Sequence, residues 1–182
     1  SKTIKLLRDY PELHKVAINL SAHAFSDEGL VPLIKRKLTQ YNVAGARIIF
    51  ELTESASLTN VSGTLRMIEE ITGLGCKFSI DDFGTGFSTF AYLRDLPAHS
   101  VKIDGSYVQD MHKNKADLTL VKAINNIAIT LGKECVAEFV ENQEIYNLVS
   151  DIGVDYAQGY FISRPIPVEK LKDFKFTPNV RL

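Results

Sequence analysis

Short strand-like runs alternate with longer helix-like runs along this chain, and the alternation restricts the fold more than any other feature. Six runs are rich in the β-branched and aromatic residues that favour strands, namely Val16–Leu20, Arg47–Leu52, Lys77–Ile80, Ser100–Ile103, Glu134–Phe139 and Tyr156–Phe161. The helix-like segments show apolar residues at helical spacing, and they are Thr3–Leu13, Gly29–Tyr41, Ser62–Leu74, Asp117–Leu131 and the short Val168–Asp173. Repeated strand–helix units predict an α/β fold with a parallel sheet or a β/α barrel.

The number of units falls short of a closed barrel. A closed β/α barrel contains eight strands, whereas six are predicted here, and the first helix-like segment has no strand before it. An open barrel would leave two unpaired strand edges, which proteins avoid or cover. We therefore expect a partial or modified (β/α)8 TIM-type barrel of about six βα units. It would occupy residues 1–182 as one domain, truncated at its N-terminal side.

Composition limits the kinds of binding partner and the cellular compartment that fit this chain. The net charge is −1 over 182 residues, which argues against a surface for nucleic-acid polymers or anionic membranes but allows a small anionic ligand held by metals. No apolar run approaches the roughly 18 residues of a membrane span, and the first residues are not a secretory signal. Cys76 and Cys135 lack metal-type spacing and are expected to be buried, reduced thiols. A cytoplasmic domain is expected.

The third predicted strand ends in two adjacent carboxylates, Asp81 and Asp82, followed by a glycine-rich loop. Neighbouring strand residues point to opposite faces, so both carboxylates can reach one ion or ion pair only where the strand is ending. The alternative is a solvated turn in which Asp and Gly act as ordinary turn formers. Taken alone, the pair leaves both interpretations open.

Polar residues also occur at the ends of the other five strands. They are Asn19, Glu51 with Glu54, Lys102 with Asp104, Glu138 with Glu141, and Gln158. In a barrel these ends converge, and buried carboxylates there need compensating positive charge. Oxygen ligands of this kind suit magnesium, manganese or calcium rather than zinc, and an amine such as Lys102 can orient metal-bound water. Each residue alone would also fit a turn, a solvated loop or a surface position, but together they predict a metal site.

Six segments, taken in order and spacing, carry a family resemblance over nearly the whole chain. They are Val16-Ala17-Ile18-Asn19-Leu20-Ser21, Glu51-Leu52-Thr53-Glu54-Ser55, Asp81-Asp82-Phe83-Gly84-Thr85-Gly86-Phe87-Ser88, Val101-Lys102-Ile103-Asp104, Val136-Ala137-Glu138-Phe139-Val140-Glu141 and Ala157-Gln158-Gly159-Tyr160. The chain resembles the EAL domain of bacterial cyclic-di-GMP phosphodiesterases. This resemblance implies a modified β/α barrel that hydrolyses one phosphodiester bond of cyclic di-GMP to linear pGpG with two magnesium or manganese ions.

The resemblance also implies a role for each metal-binding position. Asn19 and Glu51 would hold the first metal, Asp81 would bridge both metals, and Asp82 would hold the second. The mechanism would be of the two-metal type, in which one hydroxide is activated and the phosphoryl oxygens are clamped.

The remaining site residues follow from the same resemblance. Glu138 would support the second metal and the attacking water, and Lys102 would hydrogen-bond to that water. Glu141 would line the site in a supporting position, and Gln158 would lie nearer to substrate and water.

One further glutamate and two departures from the family pattern matter. Glu54 resembles the glutamate that anchors the loop Phe83–Leu93, which in the family couples dimerisation and metal binding to activity. Phe139 stands where many relatives have glycine, and a bulky ring there would reshape the pocket wall. The Glu-Ala-Leu motif, whose glutamate completes the first metal's ligands in the family, does not occur in these 182 residues. Either the chain is a piece of a longer domain, which the intact later motifs favour, or it is a shortened relative.

Two functions compete at this stage. The preferred hypothesis is a metal-dependent phosphodiesterase in the parent protein, with the isolated chain inactive because one first-metal ligand is missing. The alternative is a catalytically silent cyclic-di-GMP receptor that reports binding to partner domains. Degenerate receptors in this family usually lose acids at the loop or metal positions, and none is lost here beyond the absent Glu-Ala-Leu motif. The expected partners are cyclic di-GMP and, in the parent protein, GGDEF or sensory domains. Membrane anchoring of the parent and formation of a homodimer are left open by the sequence.

Overall fold

A computed structural model describes residues 2–59, 61–86 and 90–174. The chain divides into two compact units, Ser1–Ser100 and Val101–Leu182. They are described in turn.

The first unit contains three parallel strands that lie side by side in chain order. They are β1 (Val16–Asn19), β2 (Ile48–Thr53) and β3 (Lys77–Phe83). On β2, Phe50 and its alternate neighbours are buried, whereas Glu51 and its alternate neighbours are only partly covered. Phe50 packs against Phe78 of β3, with ring centroids 5.7 Å apart. One face of these strands is therefore apolar core, and the other carries polar side chains.

Among the described residues of this unit, five helices cover the strands. They are α1 (Lys2–Asp9), α2 (Leu30–Tyr41), α3 (Glu54–Thr59), α4 (Val61–Gly73) and α5 (Phe90–Asp95), with 3₁₀ turns at Ala22–Ser26 and Gly45–Arg47. Helix α4 packs on β3 and buries Met67, Ile68 and Ile71. These residues occupy one face at helical spacing, as the amphipathic pattern predicts.

The second unit contains the other three strands. They are β4 (Ser100–Ile103), whose first residue ends the first unit, β5 (Glu134–Ala137) and β6 (Tyr156–Ala157). Strands β5 and β6 are parallel, with Val136 opposite Tyr156. The helices are α6 (Gly105–Val108), α7 (Lys115–Thr130) and α8 (Gln143–Ile152), with a 3₁₀ helix at Val168–Asp173. Helix α7 packs on β5 and α6.

Side-chain amides fix the helix ends of the second unit. The Asn114 side chain accepts a hydrogen bond from the Ala116 N–H at 2.9 Å and so caps the start of α7. Asn125 is fully buried on α7, and its Nδ2 donates to the carbonyl of Ile152 at 3.2 Å. Helix α8 stops at Gly153, whose φ of 79° is in the left-handed region that glycine tolerates.

All six predicted strands are present, although several of their ends differ. Strand β1 ends one residue early at Asn19, β3 extends three residues further to Phe83, and the last two are shorter than predicted. Strand β6 was predicted to reach Phe161, yet it ends at Ala157 because the Gly159 carbonyl accepts hydrogen bonds from the N–H groups of Ile162 and Ser163 and turns the chain. The short helices α3, α5 and α6 and the longer α8 were not predicted. None of the helices in the described part of the chain has both the length and the apolar character needed to cross a bilayer.

Candidate active site

A row of polar side chains crosses the three strands of the first unit. Asn19 lies opposite Glu51, and Glu51 lies opposite Ser79. Residues opposite each other in parallel strands project from the same face, and neighbouring strands are about 4.8 Å apart. The row therefore brings two predicted first-metal ligands onto one face. It also adds a serine that is 2% exposed.

Asp81 extends this row toward the end of β3. It lies opposite Thr53 and two residues beyond Ser79, so it projects from the same face as the row. In a regular strand Asp82 would project from the other face. Its φ of 54° is left-handed and interrupts the strand geometry, which aspartate tolerates better than most residues. A carboxylate oxygen of Asp81 consequently lies within 4.8 Å of one of Asp82, close enough to share an ion.

Glu54 binds the loop that follows this pair. The side chain is 2% exposed, and its Oε2 accepts hydrogen bonds from the N–H groups of Gly84 at 2.9 Å and Gly86 at 3.1 Å. A Cβ at position 86 would lie 2.7 Å from Glu54 Oε1, so a larger residue there would displace the carboxylate. These bonds are what loop anchoring requires, although residues 87–89 of the predicted loop Phe83–Leu93 lie outside the described residues.

Lys102 and Glu138 form a buried ion pair in the second unit. Lys102 Nζ lies 2.8 Å from Glu138 Oε1, and the two residues are 5% and 8% exposed. Glu138 directly follows β5, and its N–H donates to the Ile103 carbonyl of β4 at 3.4 Å. Each charge compensates the desolvation of the other. The ion pair therefore keeps an ammonium and a carboxylate charged in a largely buried position.

A left-handed residue turns the backbone after Glu138. Phe139 has a φ of 52°, and the next N–H, of Val140, donates to the Gln158 carbonyl at 3.0 Å. Its ring lies against Gly105, where a Cβ would overlap the ring carbon Cδ2 and lie 2.6 Å from Cγ. This backbone conformation favours glycine, so phenylalanine at 139 is held in it at a cost in strain.

A small pocket contains the last two predicted residues. Its volume is about 180 Å³, and its lining comprises Phe139, Glu141, Gln158, Gly159 and Tyr160. The side chains of Phe139 and Tyr160 are 49% and 51% exposed, and the Arg164 guanidinium lies 4.4 Å from the Tyr160 ring centroid. A carboxylate, an amide and two exposed aromatic rings suit binding of a planar polar ligand.

Both cysteines are excluded as nucleophiles. Burial raises the pKa of the Cys76 thiol to about 11. Burial, together with the negative charge of Asp155, raises the pKa of Cys135 to about 12. Both thiols stay protonated near neutral pH, and a protonated thiol is a poor nucleophile and metal ligand.

Sequence reasoning missed two residues of these surfaces. Ser79 carries no motif signal, since a serine in a strand is ordinary, and only its register with Glu51 reveals it. Tyr160 lies in the segment Ala157-Gln158-Gly159-Tyr160, whose pattern indicates no role for the tyrosine, although its exposed ring lines the pocket. Position by position, Asn19, Glu51, Asp81 and Asp82 lie in the first unit, and Lys102, Glu138, Glu141 and Gln158 in the second.

Comparison with known families decides the membership of the chain. The family model described as "EAL domain" matches residues 1–165. The chain belongs to the EAL domain family. It is 41% identical over 155 residues to the cyclic di-GMP phosphodiesterase PdeB of Shewanella oneidensis and 38% identical over 155 residues to PdeF of Escherichia coli. Each alignment covers 85% of this chain but only 18% and 21% of the relative, so the chain spans about a fifth of those proteins.

Solved EAL structures agree with this membership. The PaMucR phosphodiesterase in complex with c-di-GMP matches with a TM-score of 0.88 at 32% identity, covering 93% of this chain and 70% of that one. The EAL domain of Mycobacterium smegmatis DcpA matches with a TM-score of 0.85 at 26% identity, covering 93% and 78%. The predicted family and the predicted α/β fold, a partial TIM-type barrel, are both confirmed.

The residues of the first unit fit a divalent cation. EAL domains are metal-dependent, and the Asp81–Asp82 pair offers two carboxylates within 4.8 Å of each other. Asn19 and Glu51 add amide and carboxylate oxygens on the same face as Asp81. An all-oxygen donor set of this kind is the one that hard cations prefer.

Proposed function

We propose that the protein containing this EAL domain hydrolyses one phosphodiester bond of cyclic di-GMP, giving linear pGpG, with magnesium or manganese as cofactor. The observation that carries the proposal is the left-handed end of β3, which turns the Asp81 and Asp82 carboxylates toward each other beside Glu51. A solvated turn would not need this convergence. The names of the relatives PdeB and PdeF support cyclic di-GMP as the substrate.

Four residues would hold the ions in this proposal. Asn19 and Glu51 would bind one ion, Asp82 would bind the other, and Asp81 would bridge the two. Bound ions of this type lower the pKa of a water ligand and neutralise charge on phosphoryl oxygens. The strand register fixes three of these residues, Asn19, Glu51 and Asp81, on one face. Donors that are already in place need little rearrangement to accept a cation.

Lys102 and Glu138 would act on the attacking water. The ammonium has three N–H donors, and one points to Glu138 at 2.8 Å. Glu138 thereby fixes the orientation of Lys102, which would donate a second hydrogen bond to the water. Glu141 and Gln158 would contact the substrate from the pocket that they line.

The name of one relative supports a proposal about the domains that accompany this one. MucR of Pseudomonas aeruginosa is named a bifunctional diguanylate cyclase and cyclic di-GMP phosphodiesterase, and it is 35% identical over 156 residues. We infer that GGDEF or sensory domains accompany this EAL domain in a cytoplasmic setting. Because the 182 residues lack Glu-Ala-Leu, the first-metal site would be incomplete in the isolated chain and its turnover negligible.

The decisive experiment incubates the full-length protein with cyclic di-GMP and Mn²⁺ and separates pGpG by chromatography. Asp81→Asn should lower kcat by at least about a hundredfold, since removal of a bridging charge weakens transition-state stabilisation. Asp151→Asn, on the exposed surface of α8, is the matched control and should keep normal turnover. Activity of the Asp81→Asn variant within tenfold of the unsubstituted protein would refute the assignment. Binding without any product would instead establish a receptor.

A further inference from the structure

Ser79 has a buried hydroxyl for which the structure shows no use. The residue lies in the middle of β3 and is 2% exposed. Within the described parts of the chain, its Oγ has no hydrogen-bond partner. Burying a hydroxyl without a partner costs free energy that an alanine or valine would avoid. A buried polar group of this kind calls for an explanation such as a bound water or ion.

The register of the sheet shows what this hydroxyl faces. Ser79 lies opposite Glu51, which in turn lies opposite Asn19, and all three share one face. Asp81 projects from the same face two residues further along β3. The residues on either side of Ser79, Phe78 and Ile80, are buried and project from the opposite face. The hydroxyl is therefore directed at the row of oxygen ligands and away from the apolar core.

We propose that Ser79 is a positioning residue of the cation site. Its hydroxyl hydrogen-bonds to the hydration shell of a divalent cation held by Asn19, Glu51 and Asp81, and it is unsatisfied only while that cation is absent. Serine is small enough to leave room for water on this face of the strands, and its hydroxyl can both donate and accept a hydrogen bond. The inference rests on the proposed function only in requiring a divalent cation at this face, and it does not depend on phosphodiester cleavage.

Two measurements on the full-length protein test the inference, and neither uses turnover. The first is the Mn²⁺ affinity by titration calorimetry, and the second is the melting temperature without metal. Ser79→Ala should weaken Mn²⁺ binding about fivefold, the equivalent of one ordinary hydrogen bond. The same variant should melt without metal at an equal or higher temperature, because it loses an unsatisfied hydroxyl. A hydroxyl with a merely structural role would give the opposite, namely a lower melting temperature and unchanged affinity.

Two further variants complete the design. Ser79→Cys preserves most of the volume but is a weak donor, so it should weaken Mn²⁺ binding as alanine does and exclude a packing artefact. Ser100→Ala removes another buried serine, 6% exposed at the amino-terminal end of β4, and should leave the affinity unchanged. An affinity of Ser79→Ala within twofold of the unsubstituted protein overturns the inference while the proposed function stands. If the unsubstituted protein binds no Mn²⁺, the metal requirement of the proposed function fails as well.

Discussion

The contact between Phe139 and Gly105 predicts a strong energetic coupling between the two positions. Phe139 holds a left-handed φ of 52°, and its ring occupies the space that a side chain at 105 would need. A Cβ on residue 105 would lie 2.6 Å from Cγ of the ring and overlap Cδ2, far inside van der Waals contact. Gly105→Ala therefore forces the ring or the strand end to move.

The magnitudes follow from these contacts. Gly105→Ala should destabilise the protein by about 1–3 kcal/mol, the usual cost of overpacking. Phe139→Gly should be close to neutral, since it relieves about 1–2 kcal/mol of left-handed strain and loses a similar amount of packing from a half-buried ring. In the Phe139→Gly background, alanine at 105 meets no ring and gains helix propensity at the start of α6. The coupling free energy should be about 1–3 kcal/mol.

Urea unfolding followed by circular dichroism measures this double-mutant cycle. The matched control is Gly73→Ala, because a Cβ there meets no atom within 4 Å. It should change stability equally in the unsubstituted protein and in the Phe139→Gly variant. A coupling free energy below about 0.5 kcal/mol between positions 105 and 139, which is the level of independent sites, would show that the ring does not pack against Gly105.

Three other predictions address separate features. Glu54→Ala removes the carboxylate that accepts from two partly buried glycine N–H groups and should cost about 1–3 kcal/mol, with faster hydrogen exchange at both amides; unchanged exchange would contradict the anchoring role. Asp82→Gly relieves the left-handed φ and should raise metal-free stability by up to about 1 kcal/mol while weakening Mn²⁺ binding in calorimetry; stronger binding would refute the ligand assignment. Cys76 and Cys135 should resist iodoacetamide at pH 8 until urea unfolds the chain. Rapid alkylation of the folded protein would show that the thiols are accessible. Folding raises the thiol pKa values from 9.0 to about 11 for Cys76 and about 12 for Cys135. The thiols of the unfolded chain therefore ionise first, and the free energy of unfolding should fall as pH rises above 9.

Regular features of this protein were predictable because they repeat. The alternation of strand and helix patterns located all six strands and helices α1, α2, α4 and α7, but not α8. Helix boundaries shifted for local reasons. Helix α1 was predicted to reach Leu13 but ends at Asp9, since Tyr10 precedes Pro11 and a residue before proline avoids the α-helical region.

The polar strand ends were predictable for a similar reason. The carboxyl ends of parallel strands meet at one edge, so Asn19, Glu51 and Asp81 could be grouped before their register was known. Single-residue conformations were not predictable. The left-handed φ of Phe139 ends β5 two residues early, and phenylalanine ordinarily favours a strand. Ser79 was missed because hydrogen-bond satisfaction depends on three-dimensional neighbours, which a pattern of residue types does not contain.

The register that aligns Asn19, Glu51 and Ser79 also limits how this domain can vary. A one-residue insertion or deletion inside β2 would flip every later side chain to the other face. Glu51 would enter the apolar layer, and Phe50 or Leu52 would face the polar row. Length changes in this strand therefore damage the core and the ligand row in a single step. Variation in chain length among active relatives is expected in the loops, while strands β1 to β3 should keep the same number of residues.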